Sequence, residues 1–246
     1  MDSRMRADRL LVARGLFESR TKAQAAIEAG LVTADGVAVA KPSDEIAVES
    51  VLRAQPAHPY VSRGGVKLAA ALDHFRFNPA GRVGLDVGAS TGGFVEVLLD
   101  RGARRIYAVD VGHGQLHAKL KMRPEIVSLE NTDIRKLTPD QLPEPPQFAT
   151  IDVSFISLKL VLPAVIRLTR HPAWLVALIK PQFEAGPDQV KKGVVRDAAT
   201  HAAICDEIRC SIAALGWSVA GIIPSPIAGG DGNREFLIGA SPSYRR

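Results

Sequence analysis

The stretch Arg82-Val-Gly-Leu-Asp-Val-Gly-Ala-Ser-Thr-Gly-Gly-Phe94 decides the fold. Val83, Leu85 and Val87 form an apolar run suited to a buried parallel strand, and Asp86 stands at the end of that strand. Gly88, Gly92 and Gly93 allow backbone torsions and close approaches that a Cβ would block, so a ligand can lie against bare backbone. Phe94, Val97 and Leu98 then recur at helical spacing. The amides that open this helix point back into the same crevice, where a carboxylate or phosphate is favoured. The reading is strand, loop and helix, with Asp86 beside a ligand crevice.

Gly-Ala-Ser-Thr-Gly-Gly departs from the G-x-G-x-x-G spacing of dinucleotide sites, which argues against nicotinamide and flavin cofactors. A second apolar run, Arg105-Ile-Tyr-Ala-Val-Asp110, ends in a carboxylate roughly 20 residues on, where such folds place the acid that holds a ribose. The loop, Asp86 and Asp110 together resemble motif I and the following acidic position of the Rossmann-like methyltransferases that use S-adenosyl-L-methionine. That resemblance implies a cofactor set of Asp86, Gly88, Ser90, Thr91, Gly92, Gly93, Phe94 and Asp110. Asp133, at the end of a third expected strand near Ile126 to Leu129, is positioned to meet the adenine side of a nucleoside.

The 246 residues give room for one α/β domain and a smaller one, and 46% hydrophobic with 23% charged residues is ordinary for a chain with a real core. No apolar run approaches the ~20 residues of a membrane span, and Met1 to Arg6 lacks the apolar core of a signal peptide, so a cytoplasmic protein is expected. Cys205 and Cys210 fall on different faces of one expected helix and read as reduced, packed thiols. The net charge of +5 points to an anionic partner. Residues 1–56 carry eight basic and eight acidic residues, so the excess lies in residues 57–246.

Residues 1–56 read as a small α+β domain. A short helix from Arg6 to Arg14 turns Leu10 and Leu11 inward, and Ser19 caps a second helix from Arg20 to Ala29. Strand pieces follow at Leu31–Thr33 and Val37–Val39 around the turn Ala34-Asp-Gly36, with a third near Ile46 to Leu52. The run Arg9-Leu-Leu-Val-Ala-Arg-Gly-Leu-Phe-Glu-Ser-Arg-Thr-Lys-Ala-Gln-Ala-Ala-Ile-Glu-Ala-Gly-Leu-Val, with Asp35-Gly36 behind it, resembles the alpha-L RNA-binding motif. The resemblance implies that Arg6, Arg9, Arg20 and Lys22 face RNA phosphates. The zero net charge of the segment requires its bases to gather on one face. Ala54-Gln-Pro-Ala-His-Pro59 reads as a linker.

In residues 57–246 the expected elements are a helix carrying Lys67, the two strands above, a helix around Gln115 to Leu120 and the strand to Leu129. A fourth strand ends at Asp152, and a helix over Leu158 to Leu168 leads to a fifth strand, Trp174 to Lys180. Asp197 caps a long helix to Leu215. Two last strands, Trp217–Ile223 and Glu235–Ile238, are joined by too few residues for a helical crossover, so the final strand runs antiparallel. The fold class is α/β: a seven-stranded, mostly parallel Rossmann-like class I methyltransferase sheet behind a small α+β RNA-binding domain.

Lys67, Asp152, Lys180 and Glu235 then sit at strand ends or at a helix start where one cleft can hold all four. Their order around the glycine loop resembles the tetrad of the FtsJ-like ribose 2′-O-methyltransferases. With the front motif, and with Ser62-Arg-Gly-Gly-Val-Lys67, Asp152-Val-Ser-Phe-Ile-Ser157 and Lys180-Pro-Gln-Phe-Glu184, the chain is similar to the TlyA family over nearly its whole length. The family implies ribosomal RNA as partner, small or large subunit or both, cytidine ribose as acceptor, the tetrad as catalytic and Arg63 as a further RNA contact. The chemistry asks for such groups: a sulfonium methyl is already activated, so the protein must hold the acceptor in line and help a weakly acidic hydroxyl lose its proton.

Other methylations fit the residues less well. The Asn/Asp-Pro-Pro-Tyr/Phe stretch of amino methylation is absent, and neither cysteine lies where a carbon-5 nucleophile is needed. His113 and His117 share a face but lack a third ligand, so no metal is expected. Two other classes remain as alternatives: a non-catalytic RNA-binding assembly factor, and a cytolysin, for which no basic amphipathic helix is evident.

Overall fold

The computed structural model describes residues 3–229 and 232–243. The chain divides into two compact units, Met1–Pro59 and Tyr60–Arg246.

The first unit contains β1 (Arg4–Arg6), α1 (Ala7–Ala13), α2 (Arg20–Glu28), β2 (Val32–Ala34), β3 (Val37–Ala38), β4 (Glu45–Ala47) and β5 (Leu52–Ala54). Ala7, Leu11, Ala23, Ala26, Ile27 and Val32 close its core between the two helices and the β2 strand. Ser19 caps α2 by accepting the Lys22 amide at 3.4 Å. Asp35 and Gly36 both take positive φ, 51° and 81°, which makes the two-residue turn between β2 and β3.

Two expectations are corrected here. Arg6 does not open α1, because Arg4–Arg6 pairs antiparallel with β4 and the helix starts at Ala7. The single strand expected near Ile46 to Leu52 is two strands in two sheets, β4 on β1 and β5 on β2. A turn closed by the Ser50 amide on the Ala47 carbonyl parts them, and Asp35 fixes its far side by accepting the Val51 amide at 2.8 Å.

The second unit contains α3 (Gly64–Phe75), β6 (Val83–Val87), α4 (Gly93–Asp100), β7 (Arg105–Val109), α5 (Ala118–Lys121), β8 (Ile126–Leu129), β9 (Phe148–Ile151), α6 (Leu158–Leu168), β10 (Trp174–Ile179), α7 (Pro181–Glu184), α8 (Ala198–Ala214), β11 (Trp217–Pro224) and β12 (Phe236–Pro242). Its sheet has the order β11-β12-β10-β9-β6-β7-β8, and β12 runs antiparallel to both neighbours. One face packs Leu68, Leu72, Val95 and Leu98 from α3 and α4 against the sheet, with Phe148 stacked on Trp174 at 4.5 Å. The other face packs Leu162 and Val165 of α6 and Ile204, Ile208 and Ile212 of α8. Asp197 caps α8 through the Thr200 amide at 2.7 Å.

The chain runs outward from β6 to β8 and then returns to β9 on the other side of β6. Strand order therefore reverses between β6 and β9, and such a switch point opens a crevice at the carboxyl edge. The helix expected from Gln115 is shorter: α5 begins at Ala118, with the His117 ring accepting the Lys119 amide at 3.3 Å as its cap. Gly114, at φ 67°, keeps the residues before it out of a helix.

Candidate active site

At the switch point a cavity of about 480 Å³ is walled by Gly88 and Ser90 beyond β6, Asp110 and Val111 beyond β7, Asp133 and Ile134 beyond β8, and the segment Asp152–Ile156 beyond β9. Its floor depends on a missing side chain. Gly88 has φ 83°, and a Cβ there would lie 2.3 Å from the Asp152 carbonyl oxygen, so only glycine lets β6 and β9 exit this close together. Asp110 binds both margins of the mouth, accepting the Ser90 amide at 2.8 Å and the Gly112 amide at 2.7 Å. Asp133 also lies in the wall, but its carboxylate is engaged by the Arg135 guanidinium at 2.6 Å, which holds its pKa down at about 2. Gly92 sits at φ 93° as the N-cap of α4, Gly93 and Phe94 open that helix with Phe94 buried, and the exposed Thr91 accepts the His117 amide through its carbonyl.

Asp86 is placed differently from the sequence reading. Its side chain is wholly buried in the sheet, where Oδ1 accepts the Thr150 hydroxyl at 2.6 Å and Oδ2 has no partner among the described residues. Burial, opposed by the Thr150 bond and reinforced by Asp152 and Asp110, pushes its pKa to about 7. The unfolded chain loses this proton near 3.8 while the folded protein keeps it up to about 7, so stability falls as pH rises between those values. Asp86→Asn is expected to remove that slope in the cofactor-free protein. At about pH 8 the gain over wild type is up to roughly 4 kcal/mol, from 1.36 kcal/mol per pKa unit. Urea unfolding at a series of pH values checks this, and an unchanged slope would contradict it.

The four charged groups form two ion pairs on the carboxyl edge. Lys67 from α3 pairs with Glu235, both buried. Lys180 pairs with Asp152 at 2.7 Å and donates to the Ser154 hydroxyl at 2.9 Å. Ile179 stands opposite Phe236 in the β10–β12 ladder, so the next pair outward is Lys180 and Glu235, and the two ion pairs are neighbours across the sheet edge. Asp152 is tied to the glycine loop's strand by its amide, which donates to the Val87 carbonyl at 2.8 Å.

Phe155 was missed by the sequence reading. It is 91% exposed, holds φ at 62°, and its ring lies 4.9 Å from that of Phe183, over which the Lys180 ammonium sits at 6.0 Å. A bulky residue in left-handed backbone and open to solvent is held against both its torsional and its hydrophobic preference, a mark of function. Only the non-periodic placement of one aromatic just beyond the Asp152 strand end signals it in sequence.

In the first unit, two of the four bases named above, Arg6 and Arg20, meet at one carboxylate. Asp8 is fully buried and accepts Arg6 Nε at 3.1 Å, Arg20 Nη2 at 2.8 Å and Gln24 Nε2 at 2.8 Å, so Arg6 from β1 and Arg20 from α2 converge on one carboxylate. The Arg6 guanidinium, with Arg20 and Gln24, holds the Asp8 carboxyl far below the usual range. Both guanidiniums stay partly exposed, Arg9 is exposed nearby in sequence, and Lys22 pairs with Glu18 at 2.6 Å. In the second unit Arg63 is exposed at the start of α3. His113 pairs with Glu130 at 3.1 Å, and no group of side chains able to hold a metal ion occurs among the described residues.

Residues 60–241 match the FtsJ-like methyltransferase family and residues 5–52 the S4 domain. The candidate rRNA methyltransferase YqxC of Bacillus subtilis is 46% identical over 95% of this chain and 84% of its own length. The 16S/23S rRNA (cytidine-2′-O)-methyltransferase TlyA of Mycobacterium tuberculosis is 44% identical over 97% of this chain and 90% of its own. The solved structure of a hemolysin candidate from Streptococcus thermophilus is 40% identical and superposes with a TM-score of 0.78, covering 99% of this chain and 90% of that one. No helix among the described residues is long and apolar enough to cross a membrane.

The cofactor is S-adenosylmethionine, and the residues present fit it. Asp110 offers a carboxylate to a ribose diol, and Val111 and Ile134 offer apolar contact to a purine. The chain belongs to the FtsJ-like methyltransferase family, and an S4 domain precedes its methyltransferase part.

Proposed function

We propose that this protein methylates the ribose 2′-hydroxyl of cytidine in ribosomal RNA, with residues 1–56 as the RNA-binding domain and residues 57–246 as the methyltransferase domain. The observation that carries the reading is the Lys180–Asp152 ion pair at the rim of the cofactor cavity, beside the exposed ring of Phe155. When bound, S-adenosylmethionine supplies a methyl group activated by its sulfonium. Lys180 faces the acceptor oxygen and offsets the negative charge that grows there as the proton leaves. Asp152 and Ser154 fix the ammonium in that position, so no reorganisation is needed during transfer. Lys67 and Glu235 form the neighbouring wall, as a neutral pair that keeps the cluster tolerable in a partly buried cleft. Asp86, Gly88, Ser90, Thr91, Gly92, Gly93, Phe94, Asp110 and Asp133 line or build the cofactor side. Arg6, Arg9, Arg20, Lys22 and Arg63 meet RNA phosphates.

Phe155 gives the acceptor nucleotide a face on which to stack once it leaves its neighbours. Phe155→Ala is expected to lower the single-turnover rate on RNA by about 10- to 100-fold, the ~1–3 kcal/mol that stacking on an aromatic contributes. Because Phe155 also lines the cofactor cavity, calorimetry on the same variant reads cofactor affinity separately, and saturating cofactor isolates the loss of acceptor stacking. A rate unchanged by the substitution would remove Phe155 from the site.

The S4 domain supports a ribosomal RNA substrate, and we further propose that an assembled subunit is what the enzyme meets. The test is transfer of labelled methyl to free 16S and 23S RNA, and to small and large subunits, from cells lacking the enzyme. Label on a subunit supports the reading. Binding to subunits with no transfer would favour an assembly factor instead.

A further inference from the structure

Glu184 stands four residues beyond Lys180, in α7, and no role above falls to its side chain. Its carboxylate turns back to the exit of β9: Oε2 accepts the Ser157 hydroxyl at 2.5 Å and Oε1 accepts the Leu158 amide at 2.7 Å. These are the opening positions of α6, where Ser157 is the N-cap and itself accepts the Lys159 amide at 3.2 Å. An acid at a helix N-terminus is favourable, but it usually comes from the helix's own first turn. Here it comes from the next strand's exit, 27 residues away in sequence.

The consequence is a closed frame around the acceptor cleft. One side is the segment Asp152–Ser157, which carries Asp152, Ser154 and Phe155. Its first residue is fixed to the sheet by the Asp152 amide on the Val87 carbonyl, and its last is fixed by Glu184. The other side is Lys180 to Glu184, with Phe183 packed on Phe155 in between. Phe155 holds left-handed backbone, which costs an L-residue about 1–2 kcal/mol and persists only where both ends of the segment are restrained.

We propose that Glu184 is a positioning residue for methyl transfer: by capping α6 from the Lys180 side it sets the spacing between Lys180 and the Asp152–Phe155 segment. The proposal rests on the methyltransferase reading above. A carboxylate that merely stabilised α6 would alter folding and leave the rate of folded enzyme alone.

The experiment compares single-turnover methyl transfer at saturating RNA and cofactor for wild type, Glu184→Gln and Asp197→Ala. The last removes a cap of similar chemistry from α8, outside the tetrad and the cofactor cavity. An amide oxygen can accept from only one of the two donors without its nitrogen facing the other, so Glu184→Gln loosens the frame. Its rate is expected to fall by about 20-fold or more, given that small misplacements cost up to 10²-fold, while the RNA dissociation constant stays within about twofold. Asp197→Ala should lose thermal stability and keep its rate within about twofold. If Glu184→Gln does not fold, Ser157→Ala removes one of the two contacts and is expected to slow transfer about fivefold. A rate for Glu184→Gln, or for Ser157→Ala in its place, that matches wild type would overturn the proposal. Equal losses in Glu184→Gln and Asp197→Ala would also overturn it. If the wild type transfers no methyl at all, the methyltransferase reading falls and this proposal with it, an outcome distinct from an active Glu184→Gln.

Discussion

Lys180→Ala is expected to reduce single-turnover methyl transfer by about 10³-fold, roughly 4 kcal/mol, the magnitude found when one preorganised donor to a developing oxyanion is removed. The side chain is the group of the tetrad best placed to meet an acceptor. It is 13% exposed at the cavity rim and held by both Asp152 and Ser154. Lys67 is more deeply enclosed and locked to Glu235. Cofactor affinity should change by no more than about threefold, because Lys180 does not line the cofactor cavity. Radiolabel transfer and calorimetry on the same preparation separate the two effects. A variant that binds cofactor normally and still turns over within tenfold of wild type would leave Lys180 without the role assigned to it.

The second large effect concerns Glu235. Glu235→Ala leaves the Lys67 ammonium buried without its counter-ion, and breaking a buried pair from one side costs about 3–5 kcal/mol of stability. Replacing both partners is different, since an apolar pair of similar volume is often neutral or stabilising. Lys67→Met with Glu235→Leu should therefore recover most of the lost stability in urea unfolding while methyl transfer stays absent. Recovery of both would mean that the pair holds the fold and takes no part in the chemistry. Recovery of neither would mean that the pair's packing, as well as its charge, is required.

The strands and the antiparallel last strand were legible because short apolar runs ending at a charged residue or glycine leave few alternatives in an α/β sheet. Gly88 was legible for the same reason: a glycine at a strand exit marks a close approach, here to the Asp152 carbonyl. The split of the expected strand near Ile46 was not, since both halves have the same pattern and what divides them is the turn closed by the Ser50 amide on the Ala47 carbonyl, with the Asp35 carboxylate on the Val51 amide at its far side. The burial of Asp86 escaped notice because a strand buried on both faces has no alternation to say which way a side chain turns. Convergence of Arg6 and Arg20 on Asp8 depends on α2 packing beside α1, which brings Arg20 to Asp8, a tertiary fact that net charge cannot report. Phe155 and the Glu184 frame depend on one positive φ and on hydrogen bonds spanning 26 and 27 residues, neither of which leaves a local pattern.

The central claim is the acceptor atom, and nucleoside analysis of the methylated RNA tests it most directly. Unmodified ribosomal subunits are incubated with the enzyme and labelled S-adenosylmethionine, and the RNA is divided between alkaline hydrolysis and complete digestion to nucleosides. The account predicts one alkali-resistant dinucleotide carrying the label, and a labelled nucleoside that migrates as 2′-O-methylcytidine. Label that is released as an alkali-sensitive mononucleotide would place the methyl on a base, and would contradict the reading of Lys67, Asp152, Lys180 and Glu235 as machinery for a ribose hydroxyl.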